Sequence, residues 1–149
     1  MGSVSADGRS PTLEQVWACD TIEKAEALIK SQQAQERPGF TLDNYVANSF
    51  DRFSGGGKSL PAINPKTGKG FAQVPVGSAG EVEKALQAAT AAFKSWSKTP
   101  APVRSKYLQR VAQLIQENKE LFAVWESIDQ GKTLARARVE VDRAVSNFR

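Results

Sequence analysis

At 149 residues, with 20 basic and 16 acidic side chains and a net charge of +4, the chain is long enough for one domain with its own core. It contains no histidine and one cysteine, Cys19. An internal disulfide, a Cys/His zinc site and every histidine-based acid–base arrangement are therefore excluded, leaving carboxylates, lysines and one thiol for any chemistry.

The N-terminus lacks the basic-then-apolar order of a secretory signal. Met1-Gly2 begins like a myristoylation site, but Ala6 stands where that motif needs Ser or Thr. No run in the chain approaches the roughly 18 apolar residues of a membrane span. These observations predict a cytoplasmic protein without a membrane partner. Residues 1–10 are small and polar and read as a disordered lead-in. From Pro11 a helical pattern places Leu13, Val16 and Trp17 on one face, with Thr12 and Gln15 as a capping box. Asp20 with Glu23 is a second cap candidate, ahead of Ala25, Leu28 and Ile29. One or two amphipathic helices are expected over 11–35, stopping before Pro38-Gly39.

Next, Tyr45-Val46-Ala47-Asn48-Ser49-Phe50 reads as a strand, followed by the flexible Ser54-Gly55-Gly56-Gly57. Leu60–Ile63 and Phe71–Val76 are two more strand candidates, joined by the turn Asn64-Pro65-Lys66-Thr67-Gly68. The expectation is a hairpin plus one further strand. Pro61 and Pro75 lack an N–H and favour edge positions.

After Gly77 the apolar period changes from two to 3.6. Ser78 and Glu81 form a capping box before a stripe of Val82, Ala85, Leu86, Ala89, Phe93 and Trp96. Beyond Pro100 and Pro102, a second stripe runs through Val103, Tyr107, Leu108, Val111, Leu114 and Ile115. Leu121, Phe122, Trp125 and Ile128 follow Asn118, which either caps a new helix or faces solvent. Gly131 is expected as a left-handed cap, a conformation that glycine reaches without a Cβ penalty. A last helix runs from about Thr133 through Val141, Val145 and Phe148 with no stop signal, which predicts a piece of a longer fold. Along these helices Arg104, Lys106, Arg110, Arg136, Arg138 and Arg143 are interspersed with acids. They read as solvated helix faces rather than a nucleic-acid footprint.

Two glycine-rich segments resemble phosphate-binding loops only superficially. A P-loop needs glycine five residues before Gly57-Lys58-Ser59, where Arg52 stands, and a helix must follow. Gly68-Lys69-Gly70 lacks the third glycine of a dinucleotide fingerprint, because Gln73 occupies that position. Cys19 has no histidine to activate it and an acid, Asp20, beside it, so it reads as a small apolar residue on a helix. Glu81, Glu83, Glu117, Glu120 and Glu140 fall on caps or exposed helix faces and form no acid–base couple.

From about Tyr45 onward the chain resembles the aldehyde dehydrogenase superfamily. The resemblance rests on the first short strand Tyr45–Phe50, the hairpin Ile63-Asn64-Pro65-Lys66-Thr67-Gly68 and the strand Ala72-Gln73-Val74-Pro75. It continues through the helix ending in Ala91-Ala92-Phe93-Lys94-Ser95-Trp96 and through Arg104, Leu108 and Leu114-Ile115. The turn Glu126-Ser127-Ile128-Asp129-Gln130-Gly131-Lys132-Thr133 completes it. Asp129–Ala135 and Val145–Arg149 are most similar to a branch that oxidises a semialdehyde.

The resemblance implies an α/β fold. It assigns 41–149 to the N-terminal part of a coenzyme-binding domain, with small antiparallel strands and a hairpin followed by three or four α-helices. Residues 1–40 would be an N-terminal helical extension. In such enzymes a cysteine thiolate attacks the aldehyde, hydride passes to NAD or NADP, and a glutamate activates the hydrolytic water. Those residues lie downstream of the matched part, so this chain is expected to hold neither catalytic nor cofactor-binding residues. Its partners would be the remainder of the aldehyde dehydrogenase fold or homologous subunits, and its apolar stripes would lie under a parallel sheet that it lacks. The resemblance also implies a monovalent cation site from the backbone carbonyl of Ile63 and the carboxylate of Asp129, against an ordinary local capping role for Asp129. Two readings follow: part of an aldehyde-oxidising enzyme, or a non-catalytic remnant serving as a binding module.

Overall fold

The computed structural model describes residues 13–33, 40–41, 44–47, 49–51 and 58–149. Two helices open it, α1 (Leu13–Trp17) and α2 (Ile22–Gln33). Thr12 of the first proposed cap lies outside the described residues. At α2 the cap is Thr21 rather than Asp20, because the Thr21 hydroxyl accepts from the Lys24 amide at 3.3 Å. Asp20 instead pairs with the Lys24 ammonium, one helical turn along.

The expected single strand over Tyr45–Phe50 is in fact two. β2 (Asn44–Val46) and β3 (Ser49–Asp51) pair antiparallel, with Tyr45 opposite Phe50. The break falls at Ala47, whose φ of 52° lies in the left-handed region. Propensity argued for a continuous strand, but tight-turn geometry overrode it.

The other sheet has the order β1-β5-β4. β4 (Ser59–Asn64) and β5 (Lys69–Pro75) form the expected hairpin, with a register shift between Ala62 and Ile63. β1 (Phe40–Thr41) runs parallel to β5, a pairing with no local signal in the sequence. Pro61 lies on the edge strand β4, as expected. Pro75 belongs to the central strand, but at its last position, beyond the Phe40–Thr41 pairing, where a missing N–H costs no ladder bond to β1. The turn between β4 and β5 is closed by Asn64. Its backbone carbonyl accepts from Thr67 and Gly68, and its side-chain oxygen accepts from the Lys66 amide at 2.9 Å. Gly68 takes φ 67°.

Four helices follow. α3 (Ala79–Trp96) starts with the full Ser78/Glu81 capping box. α4 (Ala101–Glu117) starts after Pro100, with Pro102 in its first turn, where a missing N–H is tolerated. α5 (Lys119–Gln130) begins directly after Asn118, whose side-chain amide donates back to Leu114 at 2.8 Å and closes α4. α6 (Leu134–Asn147) is capped by the Thr133 hydroxyl.

The main core joins both ends of the chain. Cys19, Ala25 and Ile29 meet Phe71 and Ala72 of β5 and Val124 and Ile128 of α5. Trp125 stacks on Phe71 with ring centroids 6.4 Å apart, and its indole N–H donates to the Val16 carbonyl at 3.5 Å. A second cluster, Ala123, Ala137 and Val141, seats α6 on α5. Small side chains at that contact allow close helix approach. α3 buries no residue; Leu86 and Phe93 are 59% and 66% exposed.

Gly131 ends α5 at φ 71°, with its amide donating to the Ser127 carbonyl at 2.9 Å. A Cβ there would lie 2.6 Å from Cγ of Pro65, so the hairpin turn rests on the only surface that glycine permits. Gly131→Ala is expected to destabilise by about 1–2 kcal/mol from φ strain alone, with a steric contribution in addition. Urea denaturation of Gly131→Ala with and without Pro65→Ala separates the two. Removing the proline ring should recover only the steric part, and equal stability of wild type and Gly131→Ala would refute the cap.

Candidate functional site

The residues implicated by sequence gather around the junction of the β4–β5 turn with the end of α5. Ile63 lies in β4 and Asp129 near the end of α5, both exposed. The two elements touch, and Pro65, just past Ile63, packs against Gly131, just past Asp129. As ligands the pair offers one carbonyl and one carboxylate oxygen, a partial set for a hard cation. Among the described residues no group of three His, Cys, Asp or Glu side chains is placed to hold a metal.

The polar centre of this junction is Lys132. Its ammonium donates to Glu126 of α5 at 2.6 Å and to Glu140 of α6, and Arg136 donates to Glu140 at 3.3 Å. The Ser127 hydroxyl donates to the Lys132 carbonyl at 2.7 Å. The Lys132 pKa is raised, first by its hydrogen bond to Glu126 and then by that to Glu140. The Glu140 pKa is lowered, chiefly by the hydrogen bond from Lys132. On the outer rim Arg138 holds both oxygens of Glu120, and Lys119 pairs with Asp142. Sequence reading placed Glu120 and Glu140 on exposed faces without seeing these partners, which lie 18 and 8 residues away. The Glu140–Arg136 spacing of four was the one legible signal. Apart from Arg136, which pairs within α6, these charged groups are used as struts between α5 and α6, which is a structural task.

Cys19 lies in the link between α1 and α2, not on a helix as expected, and is buried. Its thiol donates to the Gln15 carbonyl at 3.3 Å. Its pKa is raised, mainly by burial, which keeps it a protonated thiol rather than a nucleophile. Gly68-Lys69-Gly70 sits in a turn that opens β5 rather than a helix, so no helix N-terminus is presented to a pyrophosphate and this segment does not fit a coenzyme. Of the Gly55–Ser59 loop, 55–57 lie outside the described residues, and Ser59 begins strand β4, not a helix.

The elements thus define an α/β protein in which a small sheet is braced by helices at both ends of the chain. Comparison with known proteins makes this specific. The profile of the aldehyde dehydrogenase family matches residues 53–149. A malonate-semialdehyde dehydrogenase of Bacillus cereus (strain AH187) is 49% identical over 90 residues, covering 60% of this chain and 18% of that enzyme. The crystal structure of HpcC from Thermus thermophilus superposes with a TM-score of 0.68 at 34% identity, covering 80% of this chain and 23% of the other. A betaine aldehyde dehydrogenase from Staphylococcus aureus, solved in complex with NAD+, gives a TM-score of 0.65 at 29% identity, covering 70% and 21%. The chain belongs to the aldehyde dehydrogenase family. It spans about a fifth of the length of the relatives it matches.

The Lys132 network generates a pH test. Glu140 has a lowered folded pKa, so its stabilisation is present above the unfolded carboxylate pKa and is lost as pH falls through the lower folded value. Lys132 has a raised folded pKa, so its contribution persists below the unfolded lysine pKa and fades as pH rises through the folded value. Glu140→Gln should therefore melt below the wild type at pH 7, with the gap closing below about pH 4. A gap of constant size across that range would exclude the ionised pair as its source.

Proposed function

We propose that this chain is part of an NAD(P)+-dependent aldehyde dehydrogenase that oxidises a semialdehyde to the corresponding acid. The identity to malonate-semialdehyde dehydrogenases carries the reading, and the likeness of 129–135 and 145–149 to 2-aminomuconate semialdehyde dehydrogenase points to the same substrate class. Such substrates carry a carboxylate at the opposite end of the carbon chain from the reacting aldehyde. Within this assignment the chain is scaffold: NAD or NADP and the reacting thiolate belong to residues that it does not supply, and its own single thiol is buried and protonated. The exposed apolar residues of α3 and α4 support a partner surface, covered by the remainder of the aldehyde dehydrogenase fold or by homologous subunits. The place of action is the cytoplasm. Among the described residues no helix is long and apolar enough to cross a membrane.

The test combines NAD+ or NADP+ with a panel of aldehydes and semialdehydes and follows the absorbance of the reduced coenzyme. The 149-residue chain should show no turnover above a Cys19→Ala control, whereas the chain continued by the rest of the family fold should oxidise a semialdehyde. Turnover by the chain alone would sink the scaffold assignment. A continued chain that binds coenzyme but oxidises no aldehyde would favour the second reading, a binding module whose partner sits on the α3 surface.

The Ile63 carbonyl and the Asp129 carboxylate are proposed as two ligands of a monovalent cation, with water completing the shell. Their support is the packing of Pro65 on Gly131, which draws the two backbones together. Melting temperatures in potassium, sodium and choline chloride at equal ionic strength check this. Metal ions should raise the melting temperature over choline, and Asp129→Ala should abolish the difference. The same ion dependence in wild type and variant would rule the pair out.

A further inference from the structure

Beside the same turn, a cleft of about 380 Å³ opens between α2 and the β4–β5 hairpin. Its floor is apolar, from Ile29 and Phe71, and its rim carries Lys30, Lys66 and Lys69 against a single acid, Glu26. Only Lys66 reaches that acid, and at 3.5 Å. No ion pair is seen for Lys30 or Lys69 among the described residues, so the described rim holds three ammonium groups against one carboxylate. Asn64 in the cleft wall is 7% exposed, the one buried polar side chain of the described core. Its oxygen is used by the Lys66 amide, while among the described residues its NH₂ group has no hydrogen-bond acceptor. A buried amide donor is costly to leave unpaired, so this NH₂ group is a donor available to an acceptor that enters the cleft.

We propose that this cleft binds a small phosphate-bearing anion, with Lys30 and Lys69 supplying charge and the Asn64 amide a neutral donor. The volume falls in the range of small-ligand sites. An anion with several acceptor oxygens uses donors from more than one direction, as ammonium groups on two elements and an amide between them provide. The site is built jointly by the N-terminal helices and the hairpin. Occupancy therefore ties α2 to β5 from the outside as Ile29 and Phe71 do from within. It is independent of the aldehyde chemistry, because none of its residues is among those the enzyme assignment uses.

The experiment is equilibrium dialysis of the full 149-residue chain against labelled inorganic phosphate at fixed ionic strength, with succinate as a competing dicarboxylate. Wild type should bind one phosphate saturably, and the double substitution Lys30→Ala/Lys69→Ala should weaken binding by at least about tenfold, the size of one lost charge-assisted contact. Lys106→Ala, on α4 away from the cleft, should bind as wild type. Asn64→Asp, which replaces the donor with a negative charge, should weaken binding further; circular dichroism confirms that each variant keeps its helices. No saturable binding, equal loss in Lys106→Ala, or unchanged binding in the double variant would overturn the proposal. Succinate displacing phosphate at lower concentration than phosphate itself would overturn the phosphate assignment in favour of a carboxylate.

Discussion

The left-handed turn at Gly131 is the constraint on which the better-packed half of the molecule depends. A helix of L-residues cannot reverse without leaving αR geometry, and glycine does so here without a Cβ collision. Because the position is bare, Pro65 can press against it and lock the hairpin turn to the end of α5. Because α5 stops there, α6 returns across it, and Ala123, Ala137 and Val141 come into contact. Lys132, the next residue, then lies between Glu126 and Glu140 and ties the two helices together. Such partly exposed ion pairs contribute little individually. Their value here is to hold the direction in which α6 leaves the turn.

Burial is distributed unevenly between the two halves of the chain. α2, β5 and α5 share a core that includes the fully buried Val124, so the helices before the family-matched region are part of its packing. α3 is well capped and regular, yet buries nothing. Capping and alanine-rich composition make the helix locally, but an apolar stripe is satisfied only by another element. The T-shaped pair of Trp96 and Tyr107, 5.6 Å apart, is the chief aromatic contact that α3 makes with α4.

The titratable groups tell a consistent story. The carboxylates with lowered pKa values, Asp20, Glu81, Glu120 and Glu140, are lowered mainly by hydrogen bonds with Lys24, the Ser78 cap, Arg138 and Lys132 respectively. Each cause is architectural. Perturbed groups gather at active sites when burial and unmatched charge set them, and neither is the largest cause at these carboxylates.

What the sequence determined by itself was what local chemistry decides. The Ser78/Glu81 box, the Asn64–Gly68 turn and the Gly131 cap depend on contacts within a few residues, and each stands where its motif placed it. The family resemblance rested on those same motifs in order. Tertiary structure alone decided the rest. Cys19 left its expected helix because α1 stops at Trp17, and the link between helices became part of a core. Tyr45–Phe50 broke in two because a reversal at Ala47 lets its halves pair with each other. Phe40–Thr41 became a strand only because β5 offered a free edge, a partner some thirty residues distant. The Pro65–Gly131 contact and the Asn64 cleft have the same origin. Both join segments far apart in the chain, and sequence periodicity records which face of an element is apolar, not which distant element will meet it.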